Sequence, residues 1–378
     1  MRRINIHYIL LGAIALWSVF SWVLLWGQHD PIISPTTQED SAPQPHVAYT
    51  NSFLPGQDSF SACVMFKDDM PRLVEWLAYH HHVLPLHRVI IGVDGGSRSY
   101  PLELAERYAD RMQVTLWPKD VFAPDHEVFS SERKKNMDGA NQFLRRQTLF
   151  LRKCALQLQQ ENRTWTTFID PDEYLLFNYP AGTTPPPTAP EEFHNLVLPS
   201  VREEGIIYKF LQQHQTGQYA NPCITVPRLL FGSRVEEESS RVSSQQSRLD
   251  TLRFRSHANR GDFKSNRLAK QMMDLQRFTK HQLANLKNVH TMVPGVCWNP
   301  MSVSDDKSMF KINHYLGSKE AFFHRRDDRD AYGRLDIFDA FASKNDGTDD
   351  SIAAWYDGFV ATQGQQAASR LLEGAAIL

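Results

Sequence analysis

Apolar residues fall along this chain in short unbroken runs, separated by stretches whose apolar positions recur at helical spacing. "FSACVMF" (60–66), "RVIIGVD" (88–94), "MQVTLWP" (112–118) and "TWTTFID" (164–170) are the runs. An apolar segment of this length without alternation suits a strand covered on both faces. Between the first two lies "MPRLVEWLAYHHH" (70–82), with Asp69 in N-cap position and Pro71 in the first turn, the signature of a helix start. "PLELAERYAD" (101–110) reads as another helix. In "NQFLRRQTLFLRKCALQLQQ" (141–160), Leu144, Leu151, Ala155 and Leu158 fall on one helical face. Strand alternating with helix predicts a Rossmann-like α/β domain: a mainly parallel sheet with helices on both faces.

The pattern loosens after Asn178. "YPAGTTPPPTAPEE" is a proline-rich loop, and residues 233–248 are a polar insertion. The last fifty or so residues turn helical again in "SIAAWYDGFVATQ". At the other end, Tyr8–Trp26 is free of charge, and its 19 residues match the roughly 30 Å of a hydrocarbon core at about 1.5 Å per residue. Arg2 and Arg3 precede it, and Asp30, Glu39 and Asp40 follow. This places the N-terminus in the cytosol and the body of the chain across the membrane. The expected organisation is a tail (1–7), a transmembrane signal-anchor (8–26), a Pro/Ser/Thr-rich stem (27–57), a catalytic domain (58–326) and a helical extension (327–378).

Composition narrows the chemistry. With 41 Lys and Arg against 43 Asp and Glu, the net charge is −2, which argues against a nucleic-acid binder. Cys63, Cys154, Cys223 and Cys297 form no Cys-x-x-Cys pair, so a zinc knuckle is excluded; in an oxidising compartment they could form one or two disulfides, in any of three connectivities if all pair. Asn162 heads "NRT", the one N-glycosylation sequon. No nucleophile elbow, phosphate-binding Walker loop or H-E-x-x-H motif is present.

The candidate chemistry gathers where strands end. In an open parallel sheet, ligands collect beyond the C-terminal strand edge. Two runs end there in acidic turns, Asp94 in "VDGGS" and Asp170–Asp172 in "IDPDE". Pro171 stiffens the second turn, and hard carboxylate oxygens two residues apart suit Mg²⁺ or Mn²⁺ completed by phosphate.

The ordered segments "CVMFKDDMPRLVEWLAYHHH", "RRQTLFLRKCAL", "TWTTFIDPDEYLLF", "PRLLFGS", "NVHTM" and "INHYLGSKEAFFHR" resemble GT-A glycosyltransferases, specifically glycosyltransferase family 92 and its family-2-like relatives, over about residues 60–326. Asp68–Asp69 stands where that family commonly has Asn-Glu. The resemblance implies a Golgi type II membrane enzyme with a luminal catalytic domain. It would carry a sugar, galactose by expectation, from a UDP-sugar to a glycan or glycoconjugate acceptor with inversion. Asp170, Asp172 and His290 would hold Mn²⁺ (or Mg²⁺), with His314 the other histidine considered. Lys67, Asp68, Asp94, Gln147, Asp170 and Lys264 would bind the donor, Arg260 and Arg267 being further candidates for its diphosphate. Glu173 and Glu204 are the candidate acid–base carboxylates, ahead of Glu203 and Glu236–Glu238, with a brace for the acidic turn as the alternative role of Glu173. Two rivals stand beside this reading: a catalytically silent binding or scaffold relative, and a luminal metal-dependent phosphohydrolase using Asp94, Asp170, Asp172 and His290.

Overall fold

The computed structural model describes residues 60–129, 139–214, 220–232, 249–260, 263–297, 307–324 and 334–375. The expected anchor 8–26, the stem 27–57 and Glu236–Glu238 lie outside the described residues. Among the described residues no helix is long and apolar enough to cross a membrane.

β1 (Phe60–Phe66), β2 (Leu86–Val93), β3 (Gln113–Pro118) and β4 (Trp165–Thr167) form the parallel part of a six-stranded sheet, in the order β3-β2-β1-β4. β9 (Lys270–Asp274) adds antiparallel to β4, and β6 (Cys223–Val226) adds antiparallel to β9. Every residue of β1 is buried, and its side chains divide by parity. Phe60, Ala62, Val64 and Phe66 join one core with Leu73, Trp76 and Leu77 of α1 (Met70–Val83). Cys63 and Met65 join a second core with Phe150, Cys154 and Leu158 of α3 (Gly139–Gln160). Because side chains alternate across a strand, one apolar run feeds two cores, each roofed by a helix. α2 (Leu102–Arg107) links β2 to β3.

Gly92 of β2 lies under Phe150, and a Cβ there would come within 2.6 Å of the ring. The disulfide Cys63–Cys154 ties the central strand to α3, and Cys223–Cys297 secures the far edge strand. Both pairs close long sequence separations, 91 and 74 residues, and so constrain the unfolded chain strongly.

The expectation of one mainly parallel sheet needs correcting: the fold is mixed α/β with two sheets. The second has five strands, in the order β11-β8-β7-β10-β5. β5 (Glu173–Phe177) is one edge, antiparallel to β10 (Phe310–Tyr315); β7 (Arg228–Phe231) lies in the middle, parallel to β10, and the short β8 (Ser256–His257) and β11 (Gly347–Thr348) complete the other rim. "TWTTFIDPDEYLLF" therefore carries the chain from one sheet to the other, with the acidic turn at the crossing.

Asp69 holds the N-cap position of α1, yet its side chain makes no cap bond; it lies 3.3 Å from Arg72 instead. All three histidines at the helix end, His80–His82, are buried, so the triplet is packing material rather than a ligand set. The C-terminal extension is part of the main body. Trp355 and Phe359 of α4 (Ala354–Gln363) are fully buried in the same core as α1, and the Trp355 indole donates to the Thr251 hydroxyl at 2.9 Å.

Candidate active site

Parallel pairing brings the ends of β1, β2 and β4 to one edge. The register Phe66↔Val93 sets Lys67 beside Asp94, whose backbone N–H donates to the Phe66 carbonyl at 3.0 Å. Asp170 follows β4 along the same direction. Lys67, Asp68, Asp94 and the Asp170–Asp172 turn therefore share the C-terminal edge; the strand pattern led one to expect this of Asp94 and the Asp-Pro-Asp turn.

Asp68 and Asp94 are bound into the loop that follows β2. Asp68 is non-glycine at φ +52°, and its carboxylate accepts from the N–H groups of Arg98 (2.6 Å) and Ser99 (3.2 Å), the Ser97 hydroxyl (3.2 Å) and the Arg98 guanidinium (3.1 Å). Those bonds offset the strain of the left-handed conformation. Burial alone would raise its pKa, but the Arg98 bonds hold it below the usual carboxylate value. Asp94 accepts from the Gly96 N–H at 3.1 Å and from the Arg146 guanidinium at 3.0 and 3.2 Å. Arg146 precedes Gln147 on α3, and Gln147 is buried close to this edge.

The Asp-Pro-Asp turn is closed from both sides. The Glu173 N–H donates to the Asp170 carbonyl at 3.0 Å, and the Asp170 N–H donates to Glu173 Oε2 at 2.9 Å. Glu173 is fully buried, with Oε1 3.0 Å from Arg228 and Oε2 2.9 Å from Lys270 Nζ. With both oxygens engaged it braces the turn, one of the two roles the sequence leaves open for it. Lys270 begins β9 and also reaches Asp170 Oδ2 at 2.6 Å. Burial would raise the Asp170 pKa, yet this cation pulls it below its ordinary value; the same carboxylates raise that of Lys270 against the effect of burial.

Asp172 faces a different set. Its Oδ2 lies 3.7 Å from Arg72 Nη1 and 3.6 Å from His314 Nε2, while its carbonyl accepts from the Tyr315 N–H at 2.9 Å. The antiparallel register Glu173↔His314 accounts for that neighbour. Arg72 is buried and also meets Asp250 at 3.0 Å, Asp69 at 3.3 Å and the Leu316 carbonyl at 2.5 Å. Burial disfavours its charge, but three carboxylates more than offset this and raise its pKa. Gly317 makes the approach possible: a Cβ there would sit 1.9 Å from Arg72 Nη2, at φ +77°. Beneath Arg72, Glu75 accepts from the Asp250 and Thr251 N–H groups at 2.8 and 3.0 Å. Burial and the neighbouring Asp250 charge push its carboxyl up to about 7.

The histidines divide between the two aspartates. His290 Nδ1 bonds the Ala269 carbonyl at 3.0 Å, and its ring lies within electrostatic reach of Asp170. Burial, reinforced by the Lys270 charge, pushes its imidazole down to about 4, so it is neutral near pH 7. His314 is the one beside Asp172, and its buried Nδ1 has no hydrogen-bond partner among the described residues. Among the described residues no group of three or more His, Cys, Asp and Glu converges as a ready-made metal cage. Asp172 and His314 together offer one hard oxygen and one imidazole nitrogen. That set fits an ion whose remaining ligands are phosphate and water.

Several expected residues stand elsewhere. Glu204 is exposed, and its neighbour Gly205 bonds the His82 carbonyl at 2.7 Å, at the opposite end of α1 from Arg72. The ten-step rise from Arg72 to His82 spans about 15 Å of helix, too far for Glu204 to act at Asp172. Glu203, also exposed, shares that location. Lys264 lies in a short 3₁₀ turn whose side-chain position is outside the described residues. Arg260 is engaged with Asn178 at 2.7 Å, and Arg267 is exposed. Sequence reasoning missed Arg72, Arg146 and Arg228, and saw Lys270 only as the end of a basic stretch. A lone cation inside an otherwise buried strand, as in "KQMMD" or "RLLF", was the available signal.

No protein-family model and no curated protein matches the sequence. Among solved structures, the fold is similar to TarS of S. aureus (11% identity, 80% of this chain and 72% of that one, TM-score 0.26). It is also similar to glucosyl-3-phosphoglycerate synthase from Mycobacterium tuberculosis in complex with Mg²⁺ and uridine diphosphate (8% identity, 58% and 57%, TM-score 0.26). A third is the galactosyltransferase LgtC with donor and acceptor sugar analogues (9% identity, 76% and 97%, TM-score 0.27). With TM-scores this low the likenesses carry no argument, and fold and function rest on this chain's own geometry.

Proposed function

We propose that the chain is a glycosyltransferase of the GT-A kind. It would transfer a hexose, galactose by preference, from a UDP-sugar to a hydroxyl of a glycan or glycoconjugate acceptor, with inversion. The observation that carries this reading is the placement of Asp172 beside His314, at the junction where the C-terminal edge of the six-stranded sheet meets the second sheet. Such an edge is where an α/β sheet collects nucleotides.

Asp172 and His314 would hold the divalent ion, which when bound neutralises charge building on the departing diphosphate. Glu173, Lys270 and Arg228 keep the Asp-Pro-Asp turn rigid, so that Asp172 needs no reorganisation when the donor binds. Asp68 and Asp94 shape the loop after β2 against which the nucleoside would lie. The acceptor hydroxyl would attack the anomeric carbon in line with the leaving diphosphate. Two buried disulfides favour an oxidising compartment and so a luminal catalytic domain behind the 8–26 anchor.

The test is turnover of a panel of UDP-sugars with Mn²⁺ or Mg²⁺, against EDTA. Metal-dependent release of UDP that is abolished by Asp172→Asn supports the reading. No turnover with any donor, in a protein whose biological activity survives Asp172→Ala, would establish the scaffold alternative. Release of inorganic phosphate without an acceptor sugar would establish the phosphohydrolase.

A further inference from the structure

The sequence motif left unused by this function is "NRT" at Asn162, and the structure shows what surrounds it. α3 ends at Gln160, and Asn162 follows in the left-handed conformation, φ +59°. The Asn162 N–H bonds the Gln159 carbonyl at 3.0 Å and the Arg163 N–H bonds the Leu158 carbonyl at 2.9 Å, which closes the helix end. Asn162 itself is exposed. A left-handed residue just past a helix turns its side chain away from the last turn, so the amide stands in solvent on a rigid stub.

The location is as informative as the exposure. Asn162 precedes the first residue of β4, whereas Asp170 follows its last. Its neighbour Glu161 pairs with Arg88 near the start of β2 at 2.7 Å. Asn162 therefore stands on the N-terminal edge of the parallel strands, opposite the edge that carries Asp94 and the Asp-Pro-Asp turn. A bulky group here would cover neither the acidic turn nor either sheet junction.

We propose that Asn162 carries an N-linked glycan, an inference that rests on the luminal placement of the domain but not on its activity. The donor is a lipid-linked oligosaccharide diphosphate of the secretory pathway. A bond forms between Asn162 Nδ2 and the sugar C1, and the C1–O bond to phosphate breaks. The lipid diphosphate leaves with the electron pair, and the amide gives up one proton. The Thr164 hydroxyl is the third element of the acceptor motif.

Asparagine is also a common left-handed cap in its own right, so the test must separate cap from acceptor. The full-length chain is expressed in a eukaryotic secretory host and treated with an amidase that cleaves N-glycans. One discrete mobility step is expected, lost in Asn162→Gln and in Asn162→Gly, the latter keeping the left-handed turn. It is lost as well in Thr164→Ala, which leaves Asn162 untouched, and retained in Thr164→Ser. A companion variant, Ala48→Asn, builds Asn-Tyr-Thr in the stem and reports topology. A step in that variant but none in the parent overturns the glycan at Asn162 while the luminal reading survives. No step in either overturns both. A step that persists in Thr164→Ala also defeats the assignment.

Discussion

Two sets of acids share one edge of this molecule and are held in opposite ways. Asp68 and Asp94 are locked by backbone N–H groups and by one arginine each, within hydrogen-bond distance. Asp172 faces Arg72 and His314 at 3.7 and 3.6 Å, ion-pair distances beyond hydrogen-bond length. An acid consumed by its own loop shapes a wall. Asp172 instead meets side chains delivered by other elements, Arg72 of α1 and His314 of β10. Glu173, buried and paired with Arg228 and Lys270, gives the Asp-Pro-Asp turn its rigidity.

The sharpest way to break the comparison is at that brace. Glu173→Ala leaves Lys270 and Arg228 buried beside one fewer carboxylate and is expected to cost about 3–5 kcal/mol, read from the denaturant midpoint. A loss under about 1 kcal/mol, the size of a surface pair, would show that the turn does not depend on it. Opening the Cys63–Cys154 bridge by a double Cys→Ser change is expected to cost about 2–5 kcal/mol, since it frees a 91-residue separation between β1 and α3.

Asp172→Asn preserves shape but removes one of the three carboxylates around buried Arg72; it should cost less stability than Glu173→Ala, since Asp69 and Asp250 remain, while lowering turnover by about 10²–10³, the scale of one lost electrostatic partner at a reacting centre. Asp68→Asn should act chiefly on stability, which falls by about 1–2 kcal/mol because an amide loses the charge-assisted bonds of its loop, with turnover changed far less. Equal effects on turnover from the two changes would erase the distinction between wall and ligand.

A further effect lies in the pH profile. Burial pushes His80 down to about 3 and His81 down to about 4, from 6.5. As pH falls below 6.5 the unfolded chain takes up protons that the folded one refuses, so the stability contribution is full above 6.5 and is lost as pH falls toward 4. The urea midpoint should therefore fall steadily from about pH 7 to about pH 5, and His81→Gln should flatten that slope. The depressed carboxyls of Asp68 and Asp170 act at lower pH; their contribution is present above 3.8 and lost as pH falls through their folded values.

Much of this was legible in the amino-acid order because it is local. The run 60–66 matches β1 residue for residue, the helix at 70–82 is one residue short of α1, and the acidic turns fall on the expected strand edge. Apolar runs, a proline in a first turn and an Asp-Pro-Asp unit carry their conformational meaning within a few residues. The second sheet was not legible, since β5 pairs with β10 across more than a hundred residues, and its rim strands have two residues each. Which cysteines pair, which histidine stands beside Asp172, and that Glu173 is a brace were likewise decided by tertiary structure. Each depends on where a distant strand delivers one side chain: Lys270 on β9, Arg228 on β7, His314 on β10. The sequence by itself determined that two carboxylates would sit on a stiff turn at a sheet edge. Only the tertiary structure decided that one of them, Asp170, is neutralised from within by Lys270 of β9 in the first sheet, while Asp172 is turned toward Arg72 of α1 and His314 of β10 in the second.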